Sequence, residues 1–279
     1  MSPISGIKTN QSLSPFLRWA GSKRNLIPRL LRYWSDDRYE RYVEPFMGSA
    51  CLFFAIRPRQ ALLGDINKEL INCFQTVRDH PLATFRATNK IPISRQAYYE
   101  MRARRYPEYK YVARASQFIY LNRFCFNGLY RTNLKGEFNV PYSPSKNGCL
   151  PTYEHLKLLS QSLKCSELVF GDFQALLEQV TANDFVYLDP PYVLSGRRVF
   201  REYGPKPFDF DDLSRLSDGL RAINEIGAHF VLSYAFCSEA KALFSNWNWR
   251  RIQVQRNISG FSQFRRKAIE MLVTNIDTQ

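Results

Sequence analysis

Asp189-Pro190-Pro191-Tyr192 closes the most apolar run of the chain, Phe185-Val186-Tyr187-Leu188. Average residue frequencies make this tetrapeptide a chance event in about one chain in a thousand of this length. A Pro-Pro stop after a strand accounts for the prolines but for neither the acid nor the tyrosine. A chemical reading accounts for all four. An exocyclic amine on a nucleobase is a poor nucleophile, because its lone pair is delocalised into the ring. A carboxylate and a backbone carbonyl that accept its two N–H bonds localise that pair. An aromatic ring holds the base by stacking, and rigid prolines fix the carbonyl's direction.

A second constellation lies earlier. Val43-Glu44-Pro45-Phe46-Met47-Gly48-Ser49-Ala50 reads as the turn from a first strand into a first helix. Gly48 lets the backbone approach a ligand, and Ser49 and Ala50 are small enough to stay clear. Asp65 ends the next apolar run, 17 residues after Gly48. That is near the ~20-residue spacing at which an acid grips ribose hydroxyls. The alternative is that Asp65 caps a helix beginning at Asn67. Ahead of these lies Phe16-Leu17-Arg18-Trp19-Ala20-Gly21-Ser22-Lys23, in which Trp19 is equally readable as core and Lys23 as solvated.

Positioning such groups takes a sheet. Short apolar runs bounded by Gly, Asp or Pro occur at 42–46, 61–65, 168–172, 185–189, 230–233 and 269–273. These read as strands buried on both faces of a parallel sheet. Helical spacing separates them: Leu70, Ile71, Phe74 and Val77 within 67–77, and Leu213, Leu216, Leu220 and Ile223 within 209–226, behind an acidic first turn. Alternating strands and helices predict an α/β sandwich whose ligands sit beyond the carboxyl ends of the strands. The stretch from about 80 to 160 breaks the rhythm. It is rich in Arg, Tyr and Asn, helical near 93–105 and 112–122, then loop-like through 133–149. It reads as an insertion carrying substrate recognition.

The formal charge is +14, and it is segregated. Residues 1–35, 86–135 and 240–269 hold 24 of the 39 basic residues and 2 of the 25 acids. An ordinary solvated surface mixes its signs, so this pattern points to a polyanionic partner such as nucleic acid. At 279 residues and 45% hydrophobic the chain buries a real core, and no run approaches the ~18 apolar residues of a membrane helix. Six scattered cysteines without a CxxC pair and three dispersed histidines argue for free thiols in a reducing cytosol and against a metal site. The first residues lack the apolar stretch of a secretory signal. The expectation is a cytoplasmic protein that needs no metal.

Taken in order, these segments resemble the Dam-type (α-class) DNA adenine-N6 methyltransferases over nearly the whole chain. FLRWAGSK (16–23) is similar to their N-terminal cofactor motif, VEPFMGSACLF (43–53) to their glycine loop, GDINKELINCF (64–74) to their acidic second strand, and DPPY (189–192) to their catalytic motif. LNRFCFNGLYRTNLKGEFNVPYS (121–143) is similar to their DNA-reading segment. The chain departs from the family at Ala50, where a second glycine is usual, at Ser22, where glycine is common, and at Phe126, where some members have tyrosine.

The resemblance implies a Rossmann-like S-adenosylmethionine-dependent sheet, formed by 1–80 and 160–279, with a mainly helical target-recognition insertion at 81–159. It implies that Trp19, Lys23, Phe46, Gly48, Asp65 and Asp189 contact S-adenosylmethionine. Asp189 and Pro190 would accept from the adenine amine, and Tyr192 would stack on the flipped-out base. Asn127, Leu129, Arg131 and Pro141 match DNA-reading positions, and Arg18 matches a basic position near a guanine. The segment 195–204 follows the catalytic motif directly and carries Arg197, Arg198 and Arg201, so it reads as a loop that closes over DNA. The implied activity is methyl transfer to adenine N6 in double-stranded DNA at a GATC-like or GAT-containing site, by a monomer at the nucleoid of a bacterial or phage-infected cell. Two alternatives stay open at this point: a catalytically weak or inactive DNA-binding relative, and an amino-methyltransferase acting on another acceptor, cytosine N4, RNA or a protein amide. A role in restriction-modification, in a phage or in chromosome marking is equally open.

Overall fold

Alternate residues of the apolar runs face opposite sides of a sheet, and both sides are buried. Tyr42, Leu63, Phe185, Tyr187, Val231 and Leu272 enter one apolar cluster, whereas Val43, Leu62, Val186, Leu188, Phe230 and Met271 enter a second. The computed structural model describes residues 13–133, 135–143, 149–193, 208–255 and 267–277. After the short helix α1 (Ile27–Leu30), β1 (Arg41–Glu44) leads into α2 (Cys51–Ile56) and β2 (Ala61–Asp65). Helices α3 (Lys68–Asp79), α4 (Pro81–Asn89), α5 (Arg95–Ala103), α6 (Tyr111–Phe124) and α7 (Tyr153–Leu163) come before the next strand. The chain continues through β3 (Ser166–Phe170), α8 (Phe173–Leu177), β4 (Asp184–Leu188), α9 (Phe210–Glu225), β5 (His229–Ala235), α10 (Ser238–Leu243), β6 (Asn248–Gln255) and β7 (Lys267–Thr274).

The described strands form one seven-stranded sheet in the order β3-β2-β1-β4-β5-β7-β6. Strands β1 to β5 are mutually parallel, as expected for two-sided burial. The chain winds outward from β1 through β2 to β3 and outward again from β4 through β5. The order therefore switches between β1 and β4, where an open α/β sheet leaves a crevice at the carboxyl ends of its strands.

The run at 269–273 is buried from Glu270 onward but lies in β7, which is antiparallel to both β5 and β6. Strand β6 has no counterpart in the sequence expectation. It is an edge strand whose Asn248, Arg250, Arg251 and Gln253 are exposed, so it presents no apolar run to read.

The helices follow their apolar spacing. On α3, Leu70, Ile71, Phe74 and Val77 are buried, and the Asn67 side chain caps the helix by accepting from the amides of Glu69 and Leu70. On α9, Leu213, Leu216, Leu220 and Ile223 are buried behind an Asp209–Asp212 capping box. The insertion is less separate than its composition suggests. Ala115, Phe118 and Ile119 of α6 and Leu156, Leu159 and Leu163 of α7 join the cluster on the sheet. A small cluster of their own holds Tyr98, Met101, Tyr120, Leu121, Phe124, Cys125 and Val140. Helix α6 thus buries two faces, one toward α3 and α4 and one toward α5, and α7 runs across position 159. The loop expected at 133–149 is partly paired, with isolated bridges Cys125↔Tyr142 and Thr132↔Phe138. No described helix is long and apolar enough to cross a membrane.

Candidate active site

The two-residue period of the strands gathers acids at one end of the sheet. Asp65 ends β2 two residues after Leu63, Glu44 ends β1 two after Tyr42, and Asp189 follows Tyr187 at the end of β4. Glu270 lies two residues before Leu272 on β7, in register with Ala235, the last residue of β5. All four therefore share the face to which Tyr42, Leu63, Tyr187 and Leu272 belong. The result is a rim of four carboxyl groups flanking the switch point. Burial pushes the Glu44 carboxyl well above the usual carboxylate range, and the nearby charges of Asp189 and Asp65 add to that. Its Oε2 is buried and has no hydrogen-bond partner among the described residues.

One cation enters this rim. Lys23 is buried, with its Nζ 3.0 Å from Asp189 Oδ1 and 3.5 Å from Glu270 Oε2. The same ammonium donates to the Tyr192 hydroxyl at 2.9 Å and lies 5.1 Å from the centre of that ring. Burial alone lowers the pKa of Lys23. The charge of Asp189, with Tyr192 and Glu270, outweighs burial and holds the amine's pKa above the ordinary lysine range. Tyr192 is set in place from behind, edge-on to Tyr234 at 5.1 Å, and Tyr234's hydroxyl accepts from the Val193 amide. Lys23 is thus part of the buried site rather than a solvated side chain.

Asp65 is not the cap of α3, a role Asn67 performs. Its Oδ2 accepts from the Gly48 amide at 3.1 Å and its Oδ1 from the Asn67 amide at 2.9 Å, which ties the glycine turn to the end of β2. Burial lifts its pKa to about 6, against the pull of those two amides. Gly48 has φ +46°, and the indole of Trp19 lies directly upon it. Trp19 in turn stacks on Phe118 and Tyr130, with ring centres 6.4 and 6.0 Å away. Ala50 is fully buried, with φ 51°, in the left-handed region where glycine is normally preferred. Its methyl packs in the core.

Phe46 turns to the opposite face and stacks on Phe173 of α8 at 5.2 Å. Trp19, Lys23, Gly48, Asp65, Asp189 and Tyr192 are therefore brought together around the rim, and Phe46 borders it from the other side of the sheet. No described group of three or more His, Cys, Asp or Glu side chains is placed to hold a metal ion.

Residues 19–258 match the family model for D12 class N6 adenine-specific DNA methyltransferases. The chain belongs to that family. A type II methyltransferase of Lactococcus lactis subsp. cremoris is 34% identical over 277 residues, covering 96% of this chain and 97% of that protein. A type II methyltransferase of Methanocaldococcus jannaschii is 31% identical, with coverage of 94% and 99%. The DNA adenine methylase of Escherichia coli is 28% identical, with 92% and 93% covered.

In this methyltransferase the segment implied to read DNA forms one folded unit. The Phe126 amide donates to the Pro141 carbonyl, Arg131 Nε donates to Asn139 Oδ1 at 2.7 Å, and the Asn139 amide donates to the Arg131 carbonyl. From α5, Tyr98 and Arg102 donate to the Val140 carbonyl. Asn127 is left-handed at φ 54°, and Leu129 packs on the cluster beneath. Arg18 joins this unit because a Cβ on Gly128 would fall 2.5 Å from Arg18 Cβ. Arg197, Arg198 and the 195–204 loop lie outside the described residues.

Two rim acids and one clamp were not singled out in the sequence. Glu270 is the one charge inside the apolar run 269–273, a signal the sequence carries. Glu44 stood in a quoted motif without a role. Asn122 of α6 accepts from the Arg18 amide at 2.8 Å and donates to the Arg18 carbonyl at 2.6 Å. No sequence pattern distinguishes it from other helical asparagines.

The packing of Trp19 on Gly48 makes a firm demand. A Cβ there would come within 2.8 Å of the indole in a left-handed backbone. Gly48→Ala is expected to lower unfolding stability by roughly 1–2 kcal/mol in urea titrations and to shift indole emission. An unchanged midpoint and spectrum would contradict the described packing.

Proposed function

We propose that this enzyme binds S-adenosylmethionine across the carboxylate rim and methylates N6 of an adenine turned out of duplex DNA. The observation that carries the reading is Asp189 held at the end of β4 beside Lys23 and Tyr192. The cofactor fits the donor set. Three carboxylates and the Glu44 carboxyl against one lysine suit a ligand with a sulfonium and an ammonium, the unpartnered buried Glu44 Oε2 offers an acceptor, and Asp65 is the acid nearest the glycine turn. When bound, the cofactor supplies an electrophilic methyl group.

The chain's residues do the rest. Asp189 and the Pro190 carbonyl accept the two amine N–H bonds and so localise the nitrogen lone pair. Tyr192 stacks on the extruded base, with Tyr234 and the Lys23 ammonium fixing its ring. The proton made acidic by methylation leaves to Asp189 or to solvent, so neither a metal nor a separate general base is required. Trp19 and Phe46 border the cofactor from opposite sides of the sheet.

Extruding a base costs a few kcal/mol. Phosphate contacts from the basic segments are the proposed source, with Arg197 and Arg198 among them, and they make binding steeply salt-dependent. Arg18, Asn127, Leu129, Arg131 and Pro141 are the proposed reading surface on a target-recognition unit spanning 81–159. A guanine read bidentately by Arg131 or Arg18 would supply about 1–3 kcal/mol of discrimination. The proposed site is GATC or contains GAT. The proposed setting is a monomer working on DNA in the cytoplasm.

Asp189→Ala is expected to reduce turnover by at least roughly a thousandfold while duplex affinity in gel-shift titrations stays within about threefold. Substantial residual turnover would remove Asp189 from the reaction.

The pH dependence follows from Asp65. Free enzyme holds this carboxyl with a pKa near 6. A ligand that hydrogen-bonds the ionised form expels the proton. Affinity for S-adenosylhomocysteine should therefore rise with pH up to about 6 and level off above, falling up to tenfold per unit below. Calorimetry from pH 5 to 8 on the wild type and Asp65→Asn checks this. The variant should bind weakly with a flatter profile, and an unaltered profile would count against Asp65 as a ligand.

A further inference from the structure

Lys23 poses a problem for the chemistry just proposed. Its ammonium lies 3.0 Å from Asp189 Oδ1, and alone the two make a neutral pair. Methyl transfer from a sulfonium to a neutral amine carries one positive charge from sulfur to nitrogen, so the reacting atoms are cationic throughout. A neutral pair attracts them weakly. An acid committed to lysine is also a poorer acceptor for an amine hydrogen.

Glu270 changes that balance. It is 3% exposed, the one charged residue of the run 269–273, and its Oε2 is 3.5 Å from the same ammonium. A carboxylate is not kept in such a place without a cation to face. Its backbone position is set by the β5–β7 ladder at Ala235↔Glu270 rather than by a loop. The ammonium thus stands between two acids on two strands and donates to the Tyr192 hydroxyl besides.

We infer that Glu270 is a positioning residue that offsets the charge of Lys23, so that Asp189 faces the reacting cation from a centre of net charge −1. Glu270 acts through Lys23 and does not touch the substrate. The inference rests on the reading of Asp189 as the acceptor of the adenine amine.

Two ligands separate charge from packing. Sinefungin carries an ammonium in place of the methyl-sulfonium, and S-adenosylhomocysteine is neutral there. Calorimetry on the full-length protein should show Glu270→Gln losing about tenfold more affinity for sinefungin than for S-adenosylhomocysteine. Glu270→Asp, which keeps the charge, should retain most of the wild-type preference. Single-turnover methylation by Glu270→Gln should slow by roughly 10- to 100-fold with little change in KM for DNA. Equal loss of both ligands, or no loss of either, would overturn the inference. If Glu270→Gln does not fold, Lys23→Met gives the reading in reverse. With the cation gone, the preference for sinefungin should rise, and an unchanged or lower preference would overturn it. Full turnover by Asp189→Ala would instead sink the reading of the acceptor, while the ligand preference would still report the charge at the centre.

Discussion

A lysine ammonium withdrawn from water between two carboxylates and a phenol is the interaction on which the rest of this site depends. A buried charge survives only when it is paired, and removing one partner of such a pair is far more costly than removing an exposed one. Here the pairing joins chain segments that are remote in sequence: the stretch before α1, the end of β4 and the strand β7. Without Lys23, Asp189 and Glu270 would be like charges sharing a low-dielectric rim with Glu44 and Asp65. The lysine makes that concentration of acid tolerable, and the acids keep the lysine charged.

The same N-terminal segment is held from its other side by the insertion. Asn122 binds both backbone groups of Arg18 as a strand neighbour would, and Gly128 lies against Arg18 because it has no side chain. One residue further on, Trp19 stacks on Phe118 of α6 and rests on Gly48. Two of the basic segments, 1–35 and 86–135, therefore meet where the acidic rim begins. A polyanion on the basic surface and a cationic cofactor at the rim would be served by neighbouring residues of one short stretch. The segregation of charge along the sequence corresponds in this part of the fold to a segregation in space.

Much of this is legible in the sequence. Strand runs such as 61–65 and 185–189 carry their own stops, and the period-two rule assigns both faces, so the sheet and the ends bearing Asp65 and Asp189 follow from pattern alone. DPPY is legible because no structural reason explains its acid and tyrosine. Edge strand β6 is hidden because its packed Trp249, Ile252 and Val254 are interleaved with exposed Asn248, Arg250, Arg251 and Gln253 and form no apolar run, and the reversal of β7 leaves no mark in a strand's own composition. Lys23 was ambiguous because a lysine's burial is decided by acids arriving from elsewhere in the chain. Asp65 looked like a cap or a ligand, and its bonds to Gly48 and Asn67 are set by how two loops meet. The insertion was recognisable by composition, yet α6 shares the main core, since a helix with two buried faces has no single apolar stripe to read.

The most direct measurement is methylation of unmodified bacterial DNA with labelled S-adenosylmethionine, followed by nucleoside analysis and sequencing at the modified positions. The account predicts that all label appears as N6-methyladenine within one short double-stranded motif, at the adenine of GATC or of a longer site containing GAT. Label in N4-methylcytosine, or no incorporation by protein that binds the cofactor and the DNA, would contradict it.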